Sequence, residues 1–325
     1  MTALVHVGIV TYNSVDDLPA CFAGLAAQTY PALAISVLDN ASQDGSVNWV
    51  RQHAPHARLV LSAENLGYGR GHNRLLAEQP GAAYYMPLNP DVRLTPGYIE
   101  ALVNMLQTTG AGWGTGKLLR DEQHFYSVGH GLRRDGYAFN IGYGLRDEGQ
   151  FAIPREIFGA PGAAPVYTRA MIDALAPGGE LFDSDMFMYG EDSDLDWRAR
   201  RVGWRCWYAP TAVAYHRGSD AQGALRVQAL GNRYLSVLKN AYPRDLLTYN
   251  LPLIAFHALL RLLVSPRLGL QLITQLLRLG RRMLRKRRAP QLERAEMLVW
   301  LRWSGKQPTN QPLTWCERLA AYARR

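Results

Sequence analysis

Glu191, Asp192, Asp194 and Asp196 crowd carboxylates into the stretch Phe187-Met188-Tyr189-Gly190-Glu191-Asp192-Ser193-Asp194-Leu195-Asp196-Trp197-Arg198, where a helix begins. Leu195, Ala199 and Val202 recur at helical spacing and Gly203 follows them, which puts Glu191 and Asp192 in or just before the first turn. The helix dipole favours ionised carboxylates there. An ionised Asp192 at the rim of a cleft is suited to take a proton from an attacking hydroxyl, the work of a general base. The competing reading is local: Ser193, Asp192 and Glu191 would simply cap the helix.

A second acidic position stands far upstream, in Pro87-Leu88-Asn89-Pro90-Asp91-Val92, directly after the apolar run Ala82-Ala83-Tyr84-Tyr85-Met86. That run reads as a buried strand, and in an open α/β sheet ligands bind beyond the carboxyl ends of strands. A lone aspartate with an amide neighbour suits Mg²⁺ or Mn²⁺, which take one or two protein carboxylates and fill the remaining positions with water and phosphate oxygens. Asn-Pro-Asp is also good turn chemistry, so a plain turn competes. The same arrangement recurs at Ile35-Ser36-Val37-Leu38-Asp39-Asn40-Ala41-Ser42-Gln43-Asp44-Gly45-Ser46 and at Val5-His6-Val7-Gly8-Ile9-Val10-Thr11-Tyr12-Asn13. Asp39 belongs on the ligand edge, able to accept from a nucleobase N–H or ribose hydroxyls, while Asp44 and Gly45 turn the chain into a helix.

The elements that must position these residues form an α/β pattern. Strands are expected at about 4 to 10, 34 to 39, 57 to 61 and 82 to 88, alternating with helices. Further strands are expected at Phe125-Tyr126-Ser127-Val128-Gly129 and Ala138-Phe139-Asn140-Ile141-Gly142 within a Gly-, Tyr- and Arg-rich middle region from about 112 to 170, with a mobile loop near 144 to 156.

Five motifs in order carry a resemblance: Thr11-Tyr12-Asn13; Asp39-Asn40-Ala41-Ser42 with Asp44-Gly45-Ser46; Asn65 with Gly67-Tyr68-Gly69, Gly71 and Asn73; Asn89-Pro90-Asp91; and Glu191-Asp192 with Asp194. Over about residues 4 to 240 the chain resembles family 2 glycosyltransferases of the GT-A fold, most closely the bacterial rhamnosyltransferases. The resemblance implies inverting, single-displacement transfer from a nucleotide diphosphosugar in cell-surface polysaccharide synthesis. It implies dTDP-rhamnose as donor ahead of UDP-linked galactofuranose, hexoses or N-acetylhexosamines, and a saccharide or lipid-linked saccharide as acceptor. Thr11, Asn13 and Asp39 would hold the nucleoside, with Asn65 and Asn73 lining the pocket beside the diphosphate. Asp91 would bind the divalent cation, with His216 as a further metal or phosphate contact, and Asp192 would be the base. Glu191 and Asp194 would orient the acceptor or the helix. The competing class is a noncatalytic nucleotide-sugar binder that kept the fold.

The chain departs from that family in places. Many relatives carry two aspartates at the metal motif where this chain has Asn89, and the paired arginines and Phe-Asp-Glu often found upstream are here Thr168-Arg169-Ala170 and Phe182-Asp183-Ser184. Gly67-Tyr68-Gly69-Arg70-Gly71-His72 looks like a dinucleotide fingerprint, but His72 occupies the third glycine position and the segment does not open the first βα turn. Its glycines are expected to let the backbone approach a phosphate or sugar. Arg70 and Arg74 would either add charge near the diphosphate or lie on a solvated helix face.

At 325 residues, 48% of them apolar, the chain can bury a large core without staples. Cys21, Cys206 and Cys316 are odd in number and scattered, which argues against a disulfide framework and fits a reducing cytoplasm. The first residues enter a strand at once, so no secretory signal is expected.

Charge is uneven: residues 241 to 325 hold 16 Lys and Arg against 4 Asp and Glu, whereas residues 1 to 240 hold 20 against 23. The division expected is a catalytic domain to residue 240 and a helical basic extension beyond it. Leu251 to Val264 is apolar but interrupted by His257 and Arg261, shorter than the uninterrupted run a spanning helix wants. Leu268 to Leu284 alternates apolar residues with Gln, Thr and Arg and leads into Arg285-Lys286-Arg287-Arg288, the pattern of a helix on an anionic membrane surface. That places the protein in the cytoplasm, peripheral on the inner face of the membrane. Packing on the catalytic domain is the alternative, and nucleic acid is not an expected partner. Glu293 to Trp303 is expected to be helical, with Trp300 and Trp303 either at an interface or in the core. A loop from Gly305 to Pro312 would precede a last short helix.

Overall fold

Val5, Val7 and Ile9 are all fully buried, as is His6 between them, so the first strand is covered on both faces. A strand covered on both faces belongs in the middle of a parallel sheet flanked by helices. The computed structural model, which describes residues 2–218 and 224–302, puts it there.

The first half alternates β1 (Val5–Thr11), α1 (Leu18–Ala26), β2 (Leu33–Asp39), α2 (Ser46–His53), β3 (Arg58–Leu61), α3 (Gly67–Leu76) and β4 (Tyr84–Leu88). β1 pairs in parallel with β2 on one side and β4 on the other, and β3 extends β2. The register sets Thr11 beside Asp39 and Asp39 beside Leu61, so the polar ends of β1 and β2 share one edge. Past β4 come β5 (Val92–Leu94), α4 (Tyr98–Thr109), β6 (Trp113–Leu119), β7 (Phe125–Ser127), β8 (His130–Arg133), β9 (Ala138–Asn140), β10 (Arg155–Ile157), β11 (Val166–Thr168), α5 (Arg169–Leu175), α6 (Glu191–Arg201) and β12 (Cys206–His216). The main sheet runs β10-β12-β6-β11-β4-β1-β2-β3, with β5 paired to β12 and β7 to β6. β11 is antiparallel to both β4 and β6, which makes the sheet mixed.

The chain continues through α7 (Ala224–Asn240), α8 (Pro243–Val264, with a π-helical turn at Leu246–Asn250), α9 (Pro266–Arg285), α10 (Arg294–Trp300) and β13 (Leu301–Arg302). β13 joins β8 and β9 in a second, three-stranded sheet. Tyr234, Leu235 and Leu238 of α7 form one apolar cluster with Ile254, Leu272, Met283, Met297 and Leu301, so the C-terminal helices pack on α7.

The four expected N-terminal strands are present, each within a residue or two of its expected limits. The segment 144 to 156, expected as a mobile loop, is instead tied down. Lys117 pairs with Asp147 at 2.7 Å, the Phe125 amide donates to the Leu145 carbonyl, and Phe151 is buried against Phe125. α8 also differs from expectation. His257 and Arg261 do not interrupt it, because a helix stays continuous through isolated polar residues, and its 22 residues are long and apolar enough to cross a membrane. The helix expected over Glu293 to Trp303 starts with Glu293 as cap, in a reciprocal capping box with Glu296, and gives way to β13 at Leu301. Trp300 is partly buried, with the Arg200 guanidinium 4.1 Å above its ring. Cys21 and Cys206 are buried free thiols, while Cys316, Trp303 and everything expected past Gly305 lie outside the described residues.

Candidate active site

Thr11 and Asp39 end adjacent strands side by side, and both are buried. The Thr11 hydroxyl and Asp39 Oδ1 have no hydrogen-bond partner, while Asp39 Oδ2 accepts from the Ser42 amide at 3.0 Å. Buried polar atoms are rarely left unpaired, so this pair is a natural seat for a ligand that donates and accepts. Asn13 and Ala41, both with left-handed backbone (φ 50° and 63°), shape the two loops beyond it. The Asn13 amide donates to Ser42 Oγ at 3.0 Å and its side-chain oxygen accepts from the Gln43 amide at 2.8 Å, locking the loops together. Asp44 completes the lock by accepting from the Val15 amide, the Ser46 amide and the Ser46 hydroxyl.

Asn65 accepts from the Gly67 amide at 2.9 Å and so starts α3. Asn73 is occupied at both ends of its carboxamide, donating to the Phe182 carbonyl at 2.7 Å and accepting from the Phe182 amide at 2.9 Å. It clamps the 182–184 segment to α3 rather than facing a phosphate. The glycines before it also serve packing rather than ligand approach. A Cβ on Gly67 (φ +75°) would lie 2.0 Å from the Phe187 carbonyl oxygen, and one on Gly71 would lie 2.9 Å from Val10. Arg70 and Arg74 are both exposed, and Arg70 donates to the Ser184 carbonyl.

Antiparallel pairing of β5 with β12 sets Val92 opposite His216, and with it brings together two residues far apart in sequence. His216 Nε2 stands 3.3 Å from Asp91 Oδ1. Burial would raise the Asp91 pKa, but the hydrogen bond and charge of His216 outweigh it and hold the carboxyl below its ordinary value. The Tyr126 ring packs edge-on against His216, with centroids 4.2 Å apart.

Gly190, in left-handed conformation at φ 98°, starts α6. Asp192 then accepts from its neighbour's amide (Ser193, 2.7 Å) and from the Gly162 amide (3.0 Å), with its side chain 23% exposed. Tyr68 holds Gly162 from the other side by donating to its carbonyl at 2.6 Å. Tyr126 connects the two halves of the site: burial, then the charges of Asp192 and Asp91, push its phenol up to about 12. The charges of both carboxylates therefore bear on one side chain.

The other two acids of α6 have separate roles. Glu191 is buried, and burial followed by the charge of Asp192 pushes its carboxyl up to about 8, so it is largely protonated at neutral pH despite its place in the first turn. Asp194 is fully buried, accepting from Lys239 at 2.8 Å, Arg198 at 2.8 Å and Asn240 at 2.7 Å. Of its two expected roles, burial leaves it the orientation of the helix. Asp196 stands out in the sequence only as one of a run of carboxylates and His130 not at all, yet His130 pairs with Asp196 and lies 3.8 Å from Asp192. Sixty-six residues separate them, and no local spacing signals the pairing.

Asp91 and His216 offer a carboxylate and an imidazole at a sheet edge, a donor set that fits a divalent cation completing its shell with phosphate oxygens and water. Among the described residues no cluster of three or more His, Cys, Asp or Glu is poised to hold a metal alone.

The model for glycosyl transferase family 2 matches residues 6–175, just over half the chain. The chain is 29% identical over 246 residues to an N-acetylglucosaminyl-diphospho-decaprenol L-rhamnosyltransferase of Mycobacterium tuberculosis, covering 69% of this chain and 79% of that protein. It is 33% identical over 100 residues, 30% of this chain and 28% of the relative, to the Escherichia coli glycosyltransferase YibD. In fold it is similar to GalNAc-T7 with UDP, GalNAc and Mn²⁺ (TM-score 0.58, 12% identity, 73% of this chain and 49% of that one). It is also similar to a Pyrobaculum calidifontis mannosyltransferase in complex with GDP-Man and Mn²⁺ (TM-score 0.53, 16% identity, 86% and 76%). These likenesses establish the GT-A fold.

Proposed function

The chain belongs to glycosyl transferase family 2, and from that premise we propose that it moves L-rhamnose from dTDP-rhamnose, with inversion, onto a lipid-linked saccharide. The observations that support this reading are the pairing of Asp91 with His216 at 3.3 Å beyond a strand end and the fixing of Asp192 by the Gly162 and Ser193 amides at the start of α6. Thr11 and Asp39 receive the nucleoside through their unpaired buried atoms. Asp91 and His216 would hold a divalent cation, which would offset the charge that develops on the departing diphosphate. Asp192 takes the proton of the acceptor hydroxyl. Gly162 and Ser193 fix the carboxylate by their amides, so it is already oriented when the acceptor arrives. The rhamnose donor and the lipid-linked acceptor are supported by the mycobacterial relative's activity.

The C-terminal helices fit a peripheral position on the inner face of the membrane. One side of α9 packs through Leu272 and Met283, while Leu263, Val264 and Leu277 stand 73%, 74% and 76% exposed. Arg261, Arg267, Arg278, Arg281 and Arg285 are exposed on the same helices. Each basic residue near an anionic bilayer contributes about 1 kcal/mol. Salt-sensitive sedimentation with vesicles containing anionic lipid, and none with neutral vesicles, is the expected result.

The deciding experiment is transfer from dTDP-rhamnose to a polyprenyl-diphosphate-linked N-acetylglucosamine with Mg²⁺ or Mn²⁺. Asp192→Asn should lose about 10²- to 10⁴-fold in kcat while still binding donor. Near-normal turnover in that variant would remove Asp192 from the base role. Transfer from UDP-sugars alone would keep the enzyme and replace the donor.

A further inference from the structure

Behind Asp192 lies a histidine that the transfer reaction as described does not use. His130 is buried at the start of β8, and its amide donates to the Gly159 carbonyl at 2.8 Å. Its Nδ1 is 2.8 Å from Asp196 Oδ2, and its Nε2 is 3.8 Å from Asp192 Oδ2. Asp196 is fully buried, and its other oxygen accepts from the Trp113 indole N–H at 2.9 Å and the Ala160 amide at 3.1 Å. A carboxylate so surrounded by donors requires a proton on His130 Nδ1. The tautomer is thereby set, and Nε2 is the nitrogen that titrates. A Cβ on Gly159 would lie 2.0 Å from Asp196 Oδ2, so the backbone there approaches closely enough to seal the pair from water.

We propose that His130, backed by Asp196, is a positioning residue that holds the proton Asp192 removes from the acceptor. This rests on the transferase reading above. As the acceptor O–H breaks, its oxygen bonds to the anomeric carbon and the sugar–phosphate bond leaves with its electron pair on the diphosphate. The proton goes to Asp192 Oδ2 and then to His130 Nε2, where Asp196 balances the imidazolium charge, and it leaves to water after the product departs. Asp192 is returned to its anionic form without depending on solvent entering a cleft that the acceptor covers.

The charged groups facing His130 are Asp192 and Asp196, both on α6. Asn140, its partner on β9, is neutral, and the segment at Gly159 and Ala160 presents backbone. Tyr167 acts on both aspartates, and burial raises its pKa so far that it stays neutral. Burial disfavours a charged His130, but Asp192 and Asp196 together raise its pKa above the ordinary histidine value. Because the relay starts from neutral His130, kcat should rise with pH through this titration. Below it, the positive charge of an imidazolium 3.8 Å from Asp192 weakens the base.

The test has two parts. Imidazole ¹⁵N NMR of the full-length protein, with His130 assigned from the His130→Asn spectrum, should show an Nδ1–H tautomer and a pKa that falls in Asp192→Asn. An Nε2–H tautomer, or a pKa indifferent to Asp192→Asn, overturns the relay without reference to any activity. In the transfer assay, His130→Asn keeps a donor for Asp196 but has nothing at the Nε2 position. It should keep its melting temperature and donor KM, lose about tenfold or more in kcat and lose the acidic limb of the pH profile. A His130→Asn enzyme with the wild-type profile overturns the relay alone, whereas a wild type that transfers no sugar overturns the transferase reading with it.

Discussion

Lys239→Met tests the connection that holds the base-bearing helix in place. Lys239 Nζ lies 2.6 Å from Asp183 and 2.8 Å from Asp194, and all three side chains are at most 6% exposed. Removing one member of a buried ion pair costs about 3 to 5 kcal/mol, because the remaining charge is left uncompensated. Both aspartates keep other partners, Asp183 with Lys286 at 2.5 Å and Asp194 with Arg198 at 2.8 Å, so the lower end, about 3 kcal/mol, is expected. For a chain of this size the unfolding entropy is about 0.7 kcal/mol/K, so the melting temperature should fall by about 4 °C. The loss should depend on pH. Burial would raise the Asp183 pKa, yet Lys239 and Lys286 hold it well below the ordinary carboxylate range. A depressed folded pKa gives stability that is present above the unfolded pKa and lost as pH falls toward the folded one. The gap between wild type and variant should therefore be full at neutral pH and narrow below about pH 4. Adding Asp183→Asn should restore at least half of the loss. The assay is calorimetric unfolding at several pH values, and a drop below about 1 °C, or a double variant no better than the single, refutes the reasoning.

Asp91→Ala should abolish the extra thermal stabilisation that Mg²⁺ or Mn²⁺ gives with a nucleotide diphosphosugar, leaving the melting temperature of the free protein within about 2 °C, since its side chain is 18% exposed. His6 and His72 are held neutral, first by burial, at pKa values of about 4 and about 3. Their folded values lie below the unfolded one, so stability is full above about pH 6.5 and is lost as pH falls. At pH 5 the two together should cost about 4 kcal/mol, read from denaturant midpoints, and replacing His72 should reduce that slope. Gly67→Ala places a methyl against the Phe187 carbonyl at a left-handed backbone position. It should cost about 3 kcal/mol or more and appear as lost soluble protein, whereas Gly178→Ala, which meets nothing within 4 Å, should be neutral.

The sheet was legible because its strands carry unbroken apolar runs that end in Asp, Asn or Thr. Thr11, Asp39 and Asp91 fall where that pattern places them, and Asp192 falls in the first turn of the helix that the spacing of Leu195, Ala199 and Val202 marks. His216 was readable as a candidate from its own apolar run, although its contact with Asp91 depends on an antiparallel pairing that no local signal encodes. Asn73 and the glycines of α3 read as ligand contacts because small and polar residues suit a phosphate and a tight helix–strand contact equally well. Only the 182–187 segment packed against them decides between the two. Glu191 shows the limit of helix-dipole reasoning. Its position favours the charged form, but complete burial beside Asp192 outweighs the dipole. The pairing of His130 with Asp196 was invisible for a further reason: one sits on a strand of the small second sheet and the other on the buried face of α6, and only their packing joins them.

Lys286, the residue that caps α9, reaches Asp183 and Asp185, Arg282 of α9 reaches Asp185, and Lys239 carries the connection from Asp183 to Asp194 on α6. The helix that faces the proposed membrane surface and the helix that bears Asp192 are thus riveted to one frame. Were α9 seated on a bilayer as proposed, that frame would act as a ruler: the height of Asp192 above the headgroups would be constant, and an acceptor would be chosen in part by how far its reactive hydroxyl stands from its lipid anchor.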